Sequence, residues 1–512
     1  MKRLTLSDGV RAAAAKRPDR VAITIDDERV TYAQLVNRIG RVSAGALQDL
    51  GLREGDRVAL CLPNCLPWME LVCGFSAAGV PCAMVPPMAT PAEIRAIVED
   101  CEPRVMVCHA SNEESARAGA GHVVERFLVI GRDGADGYET WLEKARPLVP
   151  PPVDETAIFS IAYSSGSTGK PKGILLSHRS RILTCYAAAA EYRALGPATR
   201  MLVSTPVFHG AGFLNLLAPC WFGGQAVMLS RFNIERVLSL VEEHRITKAH
   251  LVPAHFAAYF ALPPAQRKRW DLSSLQCIVS GTAPLAQPVK EKIVEAFGAH
   301  VLNERYGSTE ASIVSNLRPA DQLRKPACVG LPFPMVEVAV RDPHGQPVDA
   351  GETGELWSRS PLMFSGYWRR PEAEARTIRD GWVSAGDLAR RDEEGFLYLV
   401  DRKEDMIISG GENVYPREIE EVLLRHPAVQ EAAVVGVEHE YWGEAITAYV
   451  HLKPGMQADE QTLQEFCAAT LARWKVPKRI HLRGPLPRNS MGKILRRLVK
   501  AQAAELRNGG QA

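Results

Sequence analysis

Residues 163–173 read Tyr163, Ser164, Ser165, Gly166, Ser167, Thr168, Gly169, Lys170, Pro171, Lys172 and Gly173. Glycine lets backbone N–H groups approach an anion closely, hydroxyls add donors and lysines add charge, so this composition suits a polyphosphate cradle. Apolar runs at 157–162 and 174–176 flank it and predict strand, polar loop, strand. The spacing is not that of a Walker loop, in which a Gly-Lys is followed by Ser or Thr; here Pro171 follows Lys170. Composition alone also fits a flexible Ser/Gly surface loop.

Four more stretches carry chemistry-bearing residues. They are Tyr306, Gly307, Ser308, Thr309 and Glu310; Ser384, Ala385, Gly386 and Asp387; Asp401, Arg402, Lys403 and Glu404; and Pro487, Arg488, Asn489, Ser490, Met491, Gly492 and Lys493. Together with residues 163–173, and in this order, they resemble the motifs of the adenylate-forming superfamily, which comprises acyl-CoA synthetases, luciferases and the adenylation domains of peptide synthetases. The resemblance spans nearly the whole chain and is strongest to the acyl-CoA synthetases.

The resemblance implies a reaction in two halves. A carboxylate attacks the α-phosphorus of ATP, giving an acyl-adenylate and pyrophosphate, and the thiol of coenzyme A then displaces AMP. A carboxylic acid, with a reference pKa of about 4, is already ionised near neutral pH. The first half therefore needs no general base; it needs two repelling anions held together and positive charge where negative charge builds. Lys493 would supply that charge as the catalytic lysine of a mobile loop. By the same resemblance, Ser164, Ser165, Gly166, Ser167, Thr168, Gly169, Lys170 and Lys172 hold the phosphates, and Thr168 and Glu310 approach Mg²⁺. Tyr306 stacks on adenine, with Gly281, Thr282 and Ala283 on the other face. Glu304, Arg305, Gly307, Ser308, Thr309 and Val400 complete the nucleotide site. Asp387 accepts from the ribose hydroxyls, and Arg402 reaches ribose or phosphate. His209 gates an acyl pocket that includes Phe208, Phe213, Ser280, Gly281 and Arg305. Gly410 and Gly411 offer a surface without side chains to pantetheine, Trp442 and Trp474 pack near the CoA nucleotide, and Glu404 is the pivot of a hinge. Without the resemblance each has a plainer reading: Glu310 as a surface carboxylate, Tyr306 and His209 as core residues, Lys493 as one more base beside Arg496, Arg497 and Lys500.

For the acid, Glu304, Arg305, Tyr306 and Gly307 resemble malonyl-CoA synthetases, in which this arginine meets a distal carboxylate with a planar, bidentate fork. Arg305 could instead pair with Glu304. Phe208, Phe213, Trp221, Phe256 and Tyr259 suit an apolar or aromatic chain. The reading prefers a medium-chain, cyclic or aromatic monocarboxylate. A dicarboxylate, or loading of a separate carrier protein, is the alternative.

These residues need a large scaffold, and 512 residues allow about two to four domains. Apolar content of 46% with 23% charge is that of a globular chain, and a net charge of +2 calls for neither nucleic acid nor an anionic membrane. Eleven cysteines without a Cys-x-x-Cys pair fit a reducing cytoplasm. Residues 201–230 lack Asp, Glu, Lys and Arg, but two prolines and four glycines break any spanning helix. They read as buried strand, loop, short helix and strand. Alternating patterns over the first 150 residues, including a helix capped by Ser7, predict a parallel sheet covered by helices. Residues 111–156 read as less regular. From about residue 329 short strands and turns predict a β-rich subdomain. The expected fold class is α/β: a large N-terminal domain of parallel α/β sheets plus that subdomain (1–401), and a small mobile α+β C-terminal domain (402–512). Partners are a small-molecule carboxylic acid and CoA, with no nucleic acid and no transmembrane segment; a homodimer is left open.

Overall fold

The computed structural model describes residues 4–146, 148, 150–165, 171–488 and 494–509. Gly166, Ser167, Thr168, Gly169, Lys170 and Lys493 lie outside the described residues.

Two sheets form the bulk of the N-terminal region. In the first, strands 126–130, 105–109, 58–61, 82–85 and 158–165 run parallel, and 171–177 returns antiparallel beside 158–165. The expected phosphate loop thus joins the two arms of an edge hairpin. Every residue of Val58–Cys61 and Cys82–Val85 is buried, as in parallel strands covered on both faces. In the second sheet, strands 302–308, 277–280, 248–250, 200–203, 225–228 and 21–25 run parallel in that spatial order.

Alternation along this second sheet sorts its side chains. Leu202, Ala249, Ile278 and Leu302 pack with helix Ile234–Glu243 on one face. Met201, Lys248, Val279 and Arg305 turn to the other face, toward helices His178–Tyr192 and Gly210–Trp221, where they line a narrow cavity. Residues 201–230 form strand, helix and strand as expected, with the helix at Gly210–Trp221.

The remainder is two smaller sheets. One, built from strands 337–341, 353–359, 378–379, 382–383, 387–391 and 397–402, is the expected β-rich subdomain. The other pairs 429–439 with 443–452 and is covered by helices Pro416–Leu423 and Glu460–Ala468 around its own apolar core. Some local expectations change. The first helix is Leu6–Lys16, capped by Thr5 rather than Ser7, because Asp8 completes a capping box with Thr5. Residues 111–156 contain helices Glu113–Ala120 and Tyr138–Lys144 and strand Arg126–Ile130, elements too short to carry a strong periodic pattern. Among the described residues no helix is long and apolar enough to cross a membrane, and all eleven cysteines are buried and unpaired.

Candidate active site

Three separated stretches converge on Asp387. The Tyr306 hydroxyl donates to Asp387 Oδ2 at 2.5 Å, and Arg402 Nε lies 3.2 Å from Oδ1. Register explains the second contact: Asp387 begins strand Asp387–Arg391, Arg402 ends strand Leu397–Arg402, and the two residues face each other across the ladder. Burial, then the Asp387 charge, pushes the Tyr306 phenol well above its ordinary pKa, so Tyr306 remains a donor. Gly307 follows at a bulge where a Cβ would stand 2.0 Å from Ser312 O, and only glycine fits. Thr282 turns the chain after strand Cys277–Ser280 with φ of +71°. Glu304 is buried and taken up by Lys290 on the far face. Val400 is half-buried on the strand that leads to Arg402.

Residues 364–368 tie the hairpin to the Glu310 turn. Phe364 N donates to Glu310 O, Ser365 N to Leu175 O and Trp368 N to Gly173 O, each at 2.8 Å. Tyr367 donates to Glu310 Oε1 at 2.9 Å, and Lys172 Nζ stands 5.9 Å from the Tyr367 ring centre. Lys172 and Glu310 thereby both meet Tyr367. Ser164 lies opposite Lys172 on the hairpin, and Ser165 ends its first arm.

On the acyl side His209 is the N-cap residue of helix Gly210–Trp221, its ring 4.2 Å from that of Phe208. Burial lowers the His209 pKa to about 4, so the ring is neutral near pH 7. Ser280 is buried at the end of its strand with its hydroxyl unpartnered. Gly281 must be glycine, because a Cβ there would stand 2.9 Å from Arg305 Cγ. Arg305 does not pair with Glu304, since alternation puts them on opposite faces. Its Nη2 lies 3.1 Å from His250 Nε2. The aromatic supply divides. Phe256 and Tyr259 belong to the opposite face of the sheet, Trp221 packs on Gly9, and Phe213 stacks on Phe159.

The chain's relatives give its family. Residues 10–368 match the family model described as AMP-binding enzyme, and 418–493 its C-terminal domain. This chain belongs to the AMP-binding enzyme family. The long-chain-fatty-acid–CoA ligase of Bacillus subtilis is 32% identical over 98% of this chain and 95% of its own. A feruloyl-CoA synthase of Amycolatopsis is 34% identical over 95% and 96%. Among solved structures, the anthranilate CoA ligase AuaEII with anthranoyl-AMP superposes with a TM-score of 0.90 at 28% identity, covering 98% of both chains. As a member of this family the chain is an AMP-forming acid–thiol ligase.

The residues expected at the CoA surface and the hinge are placed as follows. Gly410 and Gly411 both have positive φ, and Gly410 N donates to Trp442 O at 2.8 Å. A Cβ on Gly410 would stand 3.2 Å from the Trp442 ring, so the two form one surface; Trp474 is partly exposed elsewhere, against Lys475. Glu404 is exposed and sits 3.5 Å from Arg402. Sequence reasoning missed Arg496, which pairs with Asp401, Asp405 and Glu420; it read as one base of a basic helix. It also missed Lys248, Tyr192 and Asn215, which line the narrow cavity with Arg305. The signal for Lys248 was present: a lysine interrupting an apolar strand.

Proposed function

We propose that this protein is an ATP-dependent acid–CoA ligase acting on an acid with an aromatic or cyclic body. The convergence of Tyr306, Asp387 and Arg402 carries this reading, because an adenine platform, a ribose acceptor and a cation meet there from three distant stretches. Asp387, held on two sides, keeps lone pairs for the ribose hydroxyls. Tyr306, fixed by that bond, presents its ring to adenine against Gly281, Thr282 and Ala283. Neutral His209 closes the acyl mouth without adding charge. Lys170, Lys172 and Lys493 would offset repulsion between the acid and the α-phosphate. The feruloyl and anthranilate relatives support the ring.

Glu310 suits Mg²⁺: it is a hard oxygen donor, and its Oε2 takes no hydrogen bond among the described residues. Among those residues no group of three or more His, Cys, Asp or Glu could hold a metal ion, as suits an ion held chiefly by phosphate and water with Glu310 and Thr168 beside it. Bound there, Mg²⁺ would neutralise phosphate charge. Gly410, Gly411 and Trp442 would receive the pantetheine arm after the C-terminal domain turns about Glu404. Eleven buried, unpaired cysteines support a cytoplasmic location.

Acid-dependent ATP–pyrophosphate exchange followed by CoA-dependent AMP release tests this. Exchange with benzoate-type or cinnamate-type acids is expected; no exchange with any carboxylic acid would overturn it.

A further inference from the structure

We propose that Asp100, distant in sequence from the nucleotide motifs, is a positioning residue for the β- and γ-phosphates of ATP. It clamps the phosphate hairpin at the level of Ser164 and Lys172 and fixes those residues against Glu310. This rests on the ligase reading above and adds a residue to its adenylation half.

Tyr163 and Gly173 open and close the glycine-rich run, and they face each other across its hairpin. The Tyr163 side chain crosses Gly173, where a Cβ would stand 3.3 Å from Tyr163 Cζ and 3.1 Å from Trp368 Cβ. The Tyr163 hydroxyl then donates to Asp100 Oδ2 at 2.8 Å. Burial, then Cys101 and Asp100, raises the Tyr163 phenol above its ordinary pKa, so it stays a donor. Residues 365–370 close the clamp from the other side. Leu175 N donates to Gly366 O at 3.0 Å, so with the Ser365 and Trp368 bonds this segment runs along the outer arm like a short strand. From its end Arg370 donates to Asp100 Oδ1, and Trp368 Nε1 donates to Asp100 O at 2.9 Å. One residue thus holds the inner arm with one oxygen and the cover of the outer arm with two others. The same cover carries Tyr367, which meets both Lys172 and Glu310.

The helix itself does not ask for an acid here. Asp100 lies in the last turn of helix Pro91–Cys101, where the helix dipole disfavours negative charge. Arg57 already satisfies that helix end, donating to Cys101 O at 2.7 Å and Glu102 O at 2.8 Å. Yet the Asp100 side chain is only 9% exposed, and its two carboxylate oxygens go to two different segments. A carboxylate set against its own helix dipole serves the contacts between those segments. Ser164 is one residue from Tyr163, Lys172 is one residue from Gly173, and the two face each other in the ladder. A slip of the clamp therefore passes directly to them, and a misplacement of about 1 Å can cost about 10²-fold. The Tyr306, Asp387 and Arg402 cluster shares no hydrogen bond with Asp100 among the described residues. Loss of the clamp should then be felt by the outer phosphates and not by the AMP half of the nucleotide.

Calorimetric titration with MgATP and, separately, with AMP tests this whatever the acid. Asp100→Ala is expected to weaken ATP binding by about 10- to 100-fold, and Tyr163→Phe, which removes one hydroxyl, by about 3- to 10-fold. AMP affinity should stay at the wild-type value in both. Asp100→Asn keeps an acceptor for Tyr163 but turns an amide toward Arg370, so it should fall between wild type and Asp100→Ala. The double variant should lose no more than Asp100→Ala, because both changes act through one bond. Melting temperature checks folding, and Tyr163→Phe decides if Asp100→Ala does not fold. Equal losses for ATP and AMP, or unchanged ATP affinity in either folded variant, would overturn the positioning role and leave the ligase reading standing. Wild type that binds no ATP would overturn both.

Discussion

Arg496 and Arg305 are both largely buried arginines, and the fold treats them in opposite ways. Arg496 stands 3.0 Å from Asp401, 2.9 Å from Asp405 and 2.6 Å from Glu420. Burial works against its charge, yet Glu420 and Asp401 hold that guanidinium protonated more firmly than a free arginine. Among the described residues Arg305 meets His250 and the Tyr192 hydroxyl, with no carboxylate, and burial lowers its pKa. The first cation is finished by the chain itself, binding the last helix to Asp401 on strand Leu397–Arg402. The second, with Lys248, has no carboxylate partner among the described residues. Compensation by the fold thus distinguishes a structural charge from a functional one more reliably than burial does.

The largest effect should come from breaking the finished site. Arg496→Ala leaves Asp401 and Glu420 buried together, and the C-terminal region should lose about 3 kcal/mol in urea unfolding. A loss below about 1 kcal/mol would place Arg496 with the ornamental surface pairs. At the unfinished site the sign reverses. Lys248→Met removes an unpaired charge, so stability should hold or rise by about 1 kcal/mol; a clear loss would mean that the fold itself depends on the ammonium.

A pH series sharpens the same contrast. Folded Lys248 releases its proton near pH 8, whereas an unfolded lysine keeps it to about pH 10.4. Between these values the unfolded state binds more protons, so wild type should gain stability relative to Lys248→Met as pH rises through that window. Cys277, Arg305, His250 and Tyr192 face the ammonium and are common to both proteins. A flat difference would contradict an uncompensated Lys248. The smallest effect is expected at Asp387, a carboxylate already held on two sides: Tyr306→Phe should raise KM for ATP by about 10-fold with melting temperature nearly unchanged.

Much of this was legible in the chain. The run at 163–173, the Tyr306 to Glu310 turn and Asp387 name a nucleotide site from residue types and order, and parallel strands announced themselves as apolar runs between helical patterns. The face of each strand was not legible. Phe256 and Tyr259 follow strand Lys248–His250 closely in sequence, yet sit across the sheet from Lys248, because the backbone pleat and the return of helix Pro253–Ala261 decide the side. Nor could sequence show that Glu304 pairs with Lys290 rather than with its neighbour Arg305, since that contact depends on which helix covers the sheet.

The protonation of Lys248 reports most directly on the uncompensated charge in the cavity beneath helices His178–Tyr192 and Gly210–Trp221. It can be followed by NMR of ε-labelled lysine, assigned with Lys248→Met, without ATP present. The expected result is a free-enzyme pKa near 8, well below the value of about 10.4 of an unfolded lysine. An ordinary lysine value in the free enzyme would contradict it.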